Sequence, residues 1–193
     1  MWKVSRSTRR KLITILALLS VLALTATTAF AANPHFSGNI SFSVGSLIAE
    51  GIVVTDRDVK GILNAKGIAS AVCVREDDED DGGGQIPAPN HPPVTASGSQ
   101  LLVHTGSGFV RIPFSIETNN PHPTAAQFGC PTSGGDDEDD GWTVKHITVV
   151  WTSSELLLED AVTHATYDQE KFDCKTKGSN VKCKPKKHHD DDD

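Results

Sequence analysis

Apolar residues in this chain recur at every second position, the period of a strand with one buried face. In NISFSVGSL, Ile40, Phe42 and Val44 share one face while Ser41 and Ser43 take the other. GIVVT and VKGIL continue the pattern on either side of a polar DRD turn. GIASAVCVRE alternates Ile68, Ser70, Val72 and Val74 with Ala69, Ala71 and Cys73, small residues that suit a strand covered by a facing sheet. GFVRIPFSIET puts Val110, Ile112, Phe114 and Ile116 on one face, and Pro113 restricts that segment to a sheet edge or a bulge. WTVKHITVVWTSSELLLED predicts one long strand and a second after its two serines, and AVTHATYDQEKFDC supplies the last one or two. No stretch beyond residue 31 carries a helical stripe. Short strands with turn signals at this spacing predict an all-β fold, an antiparallel β-sandwich.

The first 31 residues are of another kind. Lys3, Arg6, Arg9, Arg10 and Lys11 precede an apolar run from Leu12 to Ala26, and Ala29-Phe30-Ala31 forms an A-x-A site. This is the pattern of a cleavable signal peptide over 1–31, with Ala32 as the mature N-terminus. The apolar run is short for a membrane span of about 20 residues. TRRKLI is a loose twin-arginine match, but the strongly apolar run suits the general secretory route better. No sorting signal, lipobox cysteine or C-terminal apolar segment follows, so the expectation is a secreted chain with no stable membrane anchor after cleavage. The expected organisation is a sandwich domain over 32–173, then a Lys-rich hairpin and disordered tail over 174–193.

Cys73, Cys130, Cys174 and Cys183 all lie in the exported part, and an even count there reads as two disulfides. A four-cysteine zinc site lacks any C-x-x-C pair. Of the three possible pairings the favoured one joins Cys174 to Cys183, because CKTKGSNVKC looks like a hairpin closed across its base. That leaves Cys73 to pair with Cys130, an expected link between the two sheets.

The charge is concentrated. The whole chain carries −7; without residues 1–31 it holds 13 basic and 25 acidic residues, a net of −12. Fifteen of those acids lie in Glu76–Asp81, Asp136–Asp140 and Asp190–Asp193, so the body is near neutral. A near-neutral body argues against nucleic acid as a partner, since phosphate binding needs a basic face. Two of the runs are near-copies, REDDEDDGGG after Cys73 and SGGDDEDDG after Cys130, in loops at 76–84 and 134–141. Bonding Cys73 to Cys130 would bring both runs to one end of the fold. Eleven carboxylates there call for solvation, nearby lysines or a hard cation. Calcium takes six to eight oxygens from flexible carboxylates. The candidate ligands are Asp77, Glu79 and Asp81 in the first run and Asp136, Glu138 and Asp140 in the second. Each run repeats the opening spacing of an EF-hand loop, but the twelfth positions are Ala88 and Ile147, so the bidentate Glu is missing. Solvated acidic insertions are the plainer reading.

The order ASAVCV, a Gly-rich turn, HPPVTASGSQ, VRIPFSIET, a proline-rich NPHPTAAQFGCP, Trp142 and ITVVWTSSELLLED resembles a family of small secreted bacterial proteins of uncharacterised activity. The resemblance covers roughly residues 36–167. It implies an immunoglobulin-like sandwich and export, and it transfers no catalytic residues. The acidic insertions and the Lys-rich hairpin depart from the pattern.

Other chemistry is thinly represented. There is no G-x-S-x-G, no H-E-x-x-H and no glycine-rich strand-to-helix turn. His35, His91, His104, His122, His146 and His164 are scattered and read as solvated or gap-filling side chains. A carbohydrate-binding module would need exposed rings. Trp151 sits in an apolar strand and reads as core, which leaves Trp142 alone at a loop end. His188 and His189 lie in a tail that cannot bury apolar area. Lys171 to Lys187 hold seven lysines and one acid, a basic patch suited to an anionic polymer, an anionic lipid or the chain's own acidic runs. The sequence therefore predicts a monomeric, secreted, non-catalytic interaction or structural protein without an obligate cofactor, meeting an extracellular ligand or surface polymer. A calcium-dependent binding module is the principal alternative.

Overall fold

The computed structural model describes residues 33–75, 84–131 and 142–186. Among these, nine strands and one helical turn follow in order: β1 His35–Ser43, β2 Ile48–Thr55, β3 Val59–Arg75, β4 Gln85–Pro87, β5 Pro93–Leu102, β6 Val110–Glu117, α1 Ala125–Phe128, β7 Trp142–Asp160, β8 Thr166–Lys177 and β9 Asn180–Pro185. They form two antiparallel sheets. The smaller has the order β1-β2-β6; the larger runs β4-β3-β7-β8-β9, with β5 also paired to β3. Pro113 lies in β6, an edge strand whose ladder is to β2, as its missing N–H requires.

The larger sheet is organised on the ladder between β3 and β7. VKGIL and GIASAVCVR are one strand of 17 residues, not two. The second strand expected after Ser153-Ser154 is likewise part of one 19-residue β7. The register explains why the pattern breaks there. Lys66 pairs with Ser153 and Gly67 with Trp151, so Thr152 is an extra residue. Such a bulge shifts the alternation by one position without ending the strand. Trp151, Ser154, Leu156 and Leu158 are all buried as a result. A second bulge between Ser70 and Val72 places His146 at φ 56°, exposed on β7.

The main core draws on both sheets: Phe36, Ala49, Val53, Phe114 and Ile116 from the smaller, Leu63, Ala65, Trp151, Leu156 and Phe172 from the larger. Phe114 meets Phe36 edge-on with ring centres 5.6 Å apart, and Phe172 meets Phe42 at 4.9 Å. Gly98 of β5 marks a close approach between the sheets: a Cβ there would lie 1.9 Å from the carbonyl oxygen of Glu117.

A second, smaller core contains Ala69, Cys73, Ala88, Val94, Phe128 and Cys130. Its lid is α1, a single turn too short to form a helical stripe. Thr124 caps it, its hydroxyl accepting from the Gln127 N–H while the Gln127 amide oxygen accepts from the Thr124 N–H, and Gly129 ends it in the left-handed region. Phe128 is thereby fully buried.

Candidate functional site

Two disulfides leave no free cysteine. Cys73 is bonded to Cys130 with α-carbons 5.6 Å apart, and Cys174 to Cys183 at 4.0 Å. The first does not join the two sheets. Cys130 follows α1, so the bond ties the large sheet to the capped turn and locks Phe128 into the smaller core. Fully paired cysteines are the chemistry of an oxidising, extracellular setting. Among the described residues no helix is long and apolar enough to cross a membrane.

The candidate calcium ligands Asp77, Glu79, Asp81, Asp136, Glu138 and Asp140 lie outside the described residues. Their anchors do not. Arg75, before the first run, pairs with Trp142, after the second. The Arg75 N–H donates to the carbonyl of Gly84, where the first run returns, at 3.0 Å. A Cβ on Gly84 would sit 3.8 Å from the Trp142 ring, and Cys73–Cys130 holds Pro131 nearby. The described residues that flank the two acidic runs, Arg75, Gly84, Pro131 and Trp142, are therefore gathered at one end of the β3–β7 ladder. Among the described residues no three His, Cys, Asp or Glu side chains form a metal-holding group. Trp142 is half-buried against the smaller core and Trp151 is buried in the larger one, so neither offers a fully open ring face.

At the opposite end, the turns β2–β3 and β7–β8 are clasped together. Asp160 accepts from the N–H groups of Val162 and Thr163 at 2.9 and 2.7 Å and from the Tyr167 hydroxyl at 2.6 Å. These donors hold its carboxyl well below the ordinary range, the Thr163 N–H most strongly. The same bond pushes the Tyr167 hydroxyl up, since ionisation would break it. Arg57 lies 5.6 Å from the Tyr167 ring centre and pairs with Asp56 at 2.8 Å. Every partner here is internal, so the cluster acts as a turn lock.

The histidines remain scattered. His91 shares a 3.1 Å hydrogen bond with Ser70, His104 one of 2.8 Å with the Gly108 carbonyl, and His164 stands 3.9 Å from Glu159.

The Lys-rich hairpin is not an appendage. A boundary after residue 173 falls inside β8, and Cys174 and Val181 belong to the main core. The β7–β8 ladder ends at Asp173, and from Phe172 onward β8 pairs with β9, in the register Phe172–Pro185, Asp173–Lys184, Cys174–Cys183, Lys175–Lys182 and Lys177–Asn180. Alternation turns the cysteines inward and projects Lys175, Lys177, Lys182 and Lys184 outward, all exposed. Beside the ribbon lies a depression of about 840 Å³ edged by these lysines and Lys186. It shares Asp173 and Lys186 with a second depression, of about 760 Å³, on the outer face of β5, β3, β7 and β8. The sequence showed a basic patch; which lysines share a face depends on the register. No protein-family model, curated protein or solved structure matches the chain.

Proposed function

We propose that this chain is a secreted, non-catalytic extracellular interaction or structural protein, built as an immunoglobulin-like sandwich and working as a monomer. The observation that carries the reading is the pairing of all four cysteines around the two charged features. One bond fixes the base of the acidic runs and the other fixes the lysine ribbon. The second bond holds the ribbon lysines in a fixed register, and rigidity lowers the entropy lost on binding. The test is export from the producing cell: N-terminal sequencing of secreted material should begin at Ala32. Retention of the protein with Met1 intact would refute it.

A second reading, a calcium-dependent module, is favoured by the convergence of the four anchors Arg75, Gly84, Pro131 and Trp142. It expects weak binding, at about 10⁻⁴–10⁻³ M. Calcium in that range should raise the melting temperature and magnesium should do so less. No calorimetric heat and no melting shift up to several millimolar would leave the acidic runs as solvated insertions.

A further inference from the structure

The lysine ribbon and the depression beside it carry an assignment beyond the extracellular reading, on which it rests. We infer that this face is a binding surface for an anionic polysaccharide. Lys175 and Lys182 are directly opposed across the ribbon, with Lys177 and Lys184 beside them on the same face. Like charges placed directly opposite each other destabilise a strand pair. The relief within the ribbon is partial: Asp173 stands opposite Lys184 and is the one acid edging the depression, and none of Lys175, Lys177, Lys182, Lys184 and Lys186 makes an ion pair among the described residues. Edge strands do use lysine to block aggregation. That role fits lysines on either strand of the ribbon, since past Asp173 β8 pairs only with β9, but it does not by itself require Lys175, Lys177, Lys182 and Lys184 to share one face.

Several features select the occupant. Every cation that the described residues place on the face is lysine, a point charge without the planar fork that arginine offers to a phosphate or carboxylate pair. The surface therefore suits a chain of spaced anions over one group bound bidentately. Among the described residues no aromatic side chain and no arginine edges the ribbon depression, so bases would find nothing there to stack on, which disfavours single-stranded nucleic acid. Among the described residues no large apolar side chain stands beside the lysines either, since Val181 turns into the core; a lipid surface would lack an anchor there. The second depression adds Asn64, Ser97, Asn119 and Ser153, hydroxyls and amides that exchange hydrogen bonds with sugar hydroxyls, and its one further acid, Glu155, is ion-paired with Lys171. Lysines followed by hydroxyls and amides on one continuous face fit a polymer that carries both anions and hydroxyls.

The purified protein should bind immobilised heparin, a sulfated probe, or alginate, a carboxylated one, and not neutral dextran; which of the two it prefers identifies the anion. Affinity should fall roughly 10- to 100-fold between 50 and 200 mM salt, as expected for about five released counterions on a polymer less densely charged than DNA. Changing Lys175, Lys182 and Lys184 together to Gln should weaken binding by about tenfold or more. The melting temperature should stay unchanged or rise, because the opposed charges are gone. A control carrying Lys60→Gln and Arg111→Gln, which removes two positive charges elsewhere, should bind as the parent does. The inference is overturned by no binding to either polysaccharide at 50 mM salt, by equal binding of the triple variant and the parent, or by preferential capture on anionic lipid vesicles or single-stranded DNA. N-terminal sequencing tests the extracellular reading independently, so the two can fail separately.

Discussion

The two disulfides close loops of very different length, and that difference can be measured. Cys73 and Cys130 are 57 residues apart, Cys174 and Cys183 only 9. Cross-linking removes loop-closure entropy from the unfolded chain in proportion to the logarithm of loop length, which gives about 4.2 kcal/mol for the first bond and about 2.7 kcal/mol for the second. The bonded sulfurs sit in comparable surroundings, with Cys73, Cys130 and Cys174 buried and Cys183 half-buried, so the small cavity left by alanine should nearly cancel. The variant Cys73→Ala/Cys130→Ala should therefore be about 1.5 kcal/mol less stable than Cys174→Ala/Cys183→Ala. Against a typical domain stability of about 5–15 kcal/mol the longer loop's loss is a large fraction of the whole. Urea unfolding of the parent and both double variants, extrapolated linearly to water, provides the comparison. The slope should also rise most in the first variant, because its unfolded chain gains the most exposed surface. A larger loss from the short ribbon loop than from the long one would refute the reasoning. The ribbon bond would then be acting on the folded state, by holding Val181 and the β8–β9 register.

Gly98→Ala should cost more than about 3 kcal/mol, beyond the usual overpacking range, because its Cβ would collide with the backbone carbonyl of Glu117 and not with a movable side chain; a loss below about 1 kcal/mol in the same urea experiment would show that β5 and β6 can separate freely. Stability should fall as pH drops below the ordinary aspartate range of about 4, because the depressed Asp160 carboxyl must be protonated on unfolding before it is on the folded protein. The sign is that of a lowered acid: the contribution is present above the unfolded value and lost on acidification. Asp160→Asn should show a smaller drop in melting temperature between pH 5 and pH 2.5 than the parent, and equal drops would place the acid sensitivity elsewhere. Phe128→Ala should cost about 3–5 kcal/mol, since the ring is fully buried at the centre of the smaller core; a loss under about 1 kcal/mol would mean that α1 is not a structural lid.

How much of this was legible beforehand depends on whether the cause was local. The alternation in NISFSVGSL and VRIPFSIET marks one face of a strand, and Pro113 marks an edge, because a side chain's face and a missing N–H are set by the residue itself. Thr-Ala-Ala-Gln followed by Phe-Gly also carried a local signal for α1, a capping box with a terminal glycine, though one turn leaves no stripe to read. The bulge at Thr152 is different. Its sequence signature is only a change of phase, which reads equally as the end of one strand and the start of another. What decides between them is Gly67 and Trp151 pairing across β3 and β7, a contact between residues 84 positions apart. The candidate sites divide in the same way. Seven lysines in a short stretch are visible as composition, but composition does not say which of them share a face. Register does: with Cys174 opposite Cys183, Lys175 must stand opposite Lys182 and both must point away from the core. The disulfide thus selects, out of one basic stretch, the lysines that can act together on a ligand.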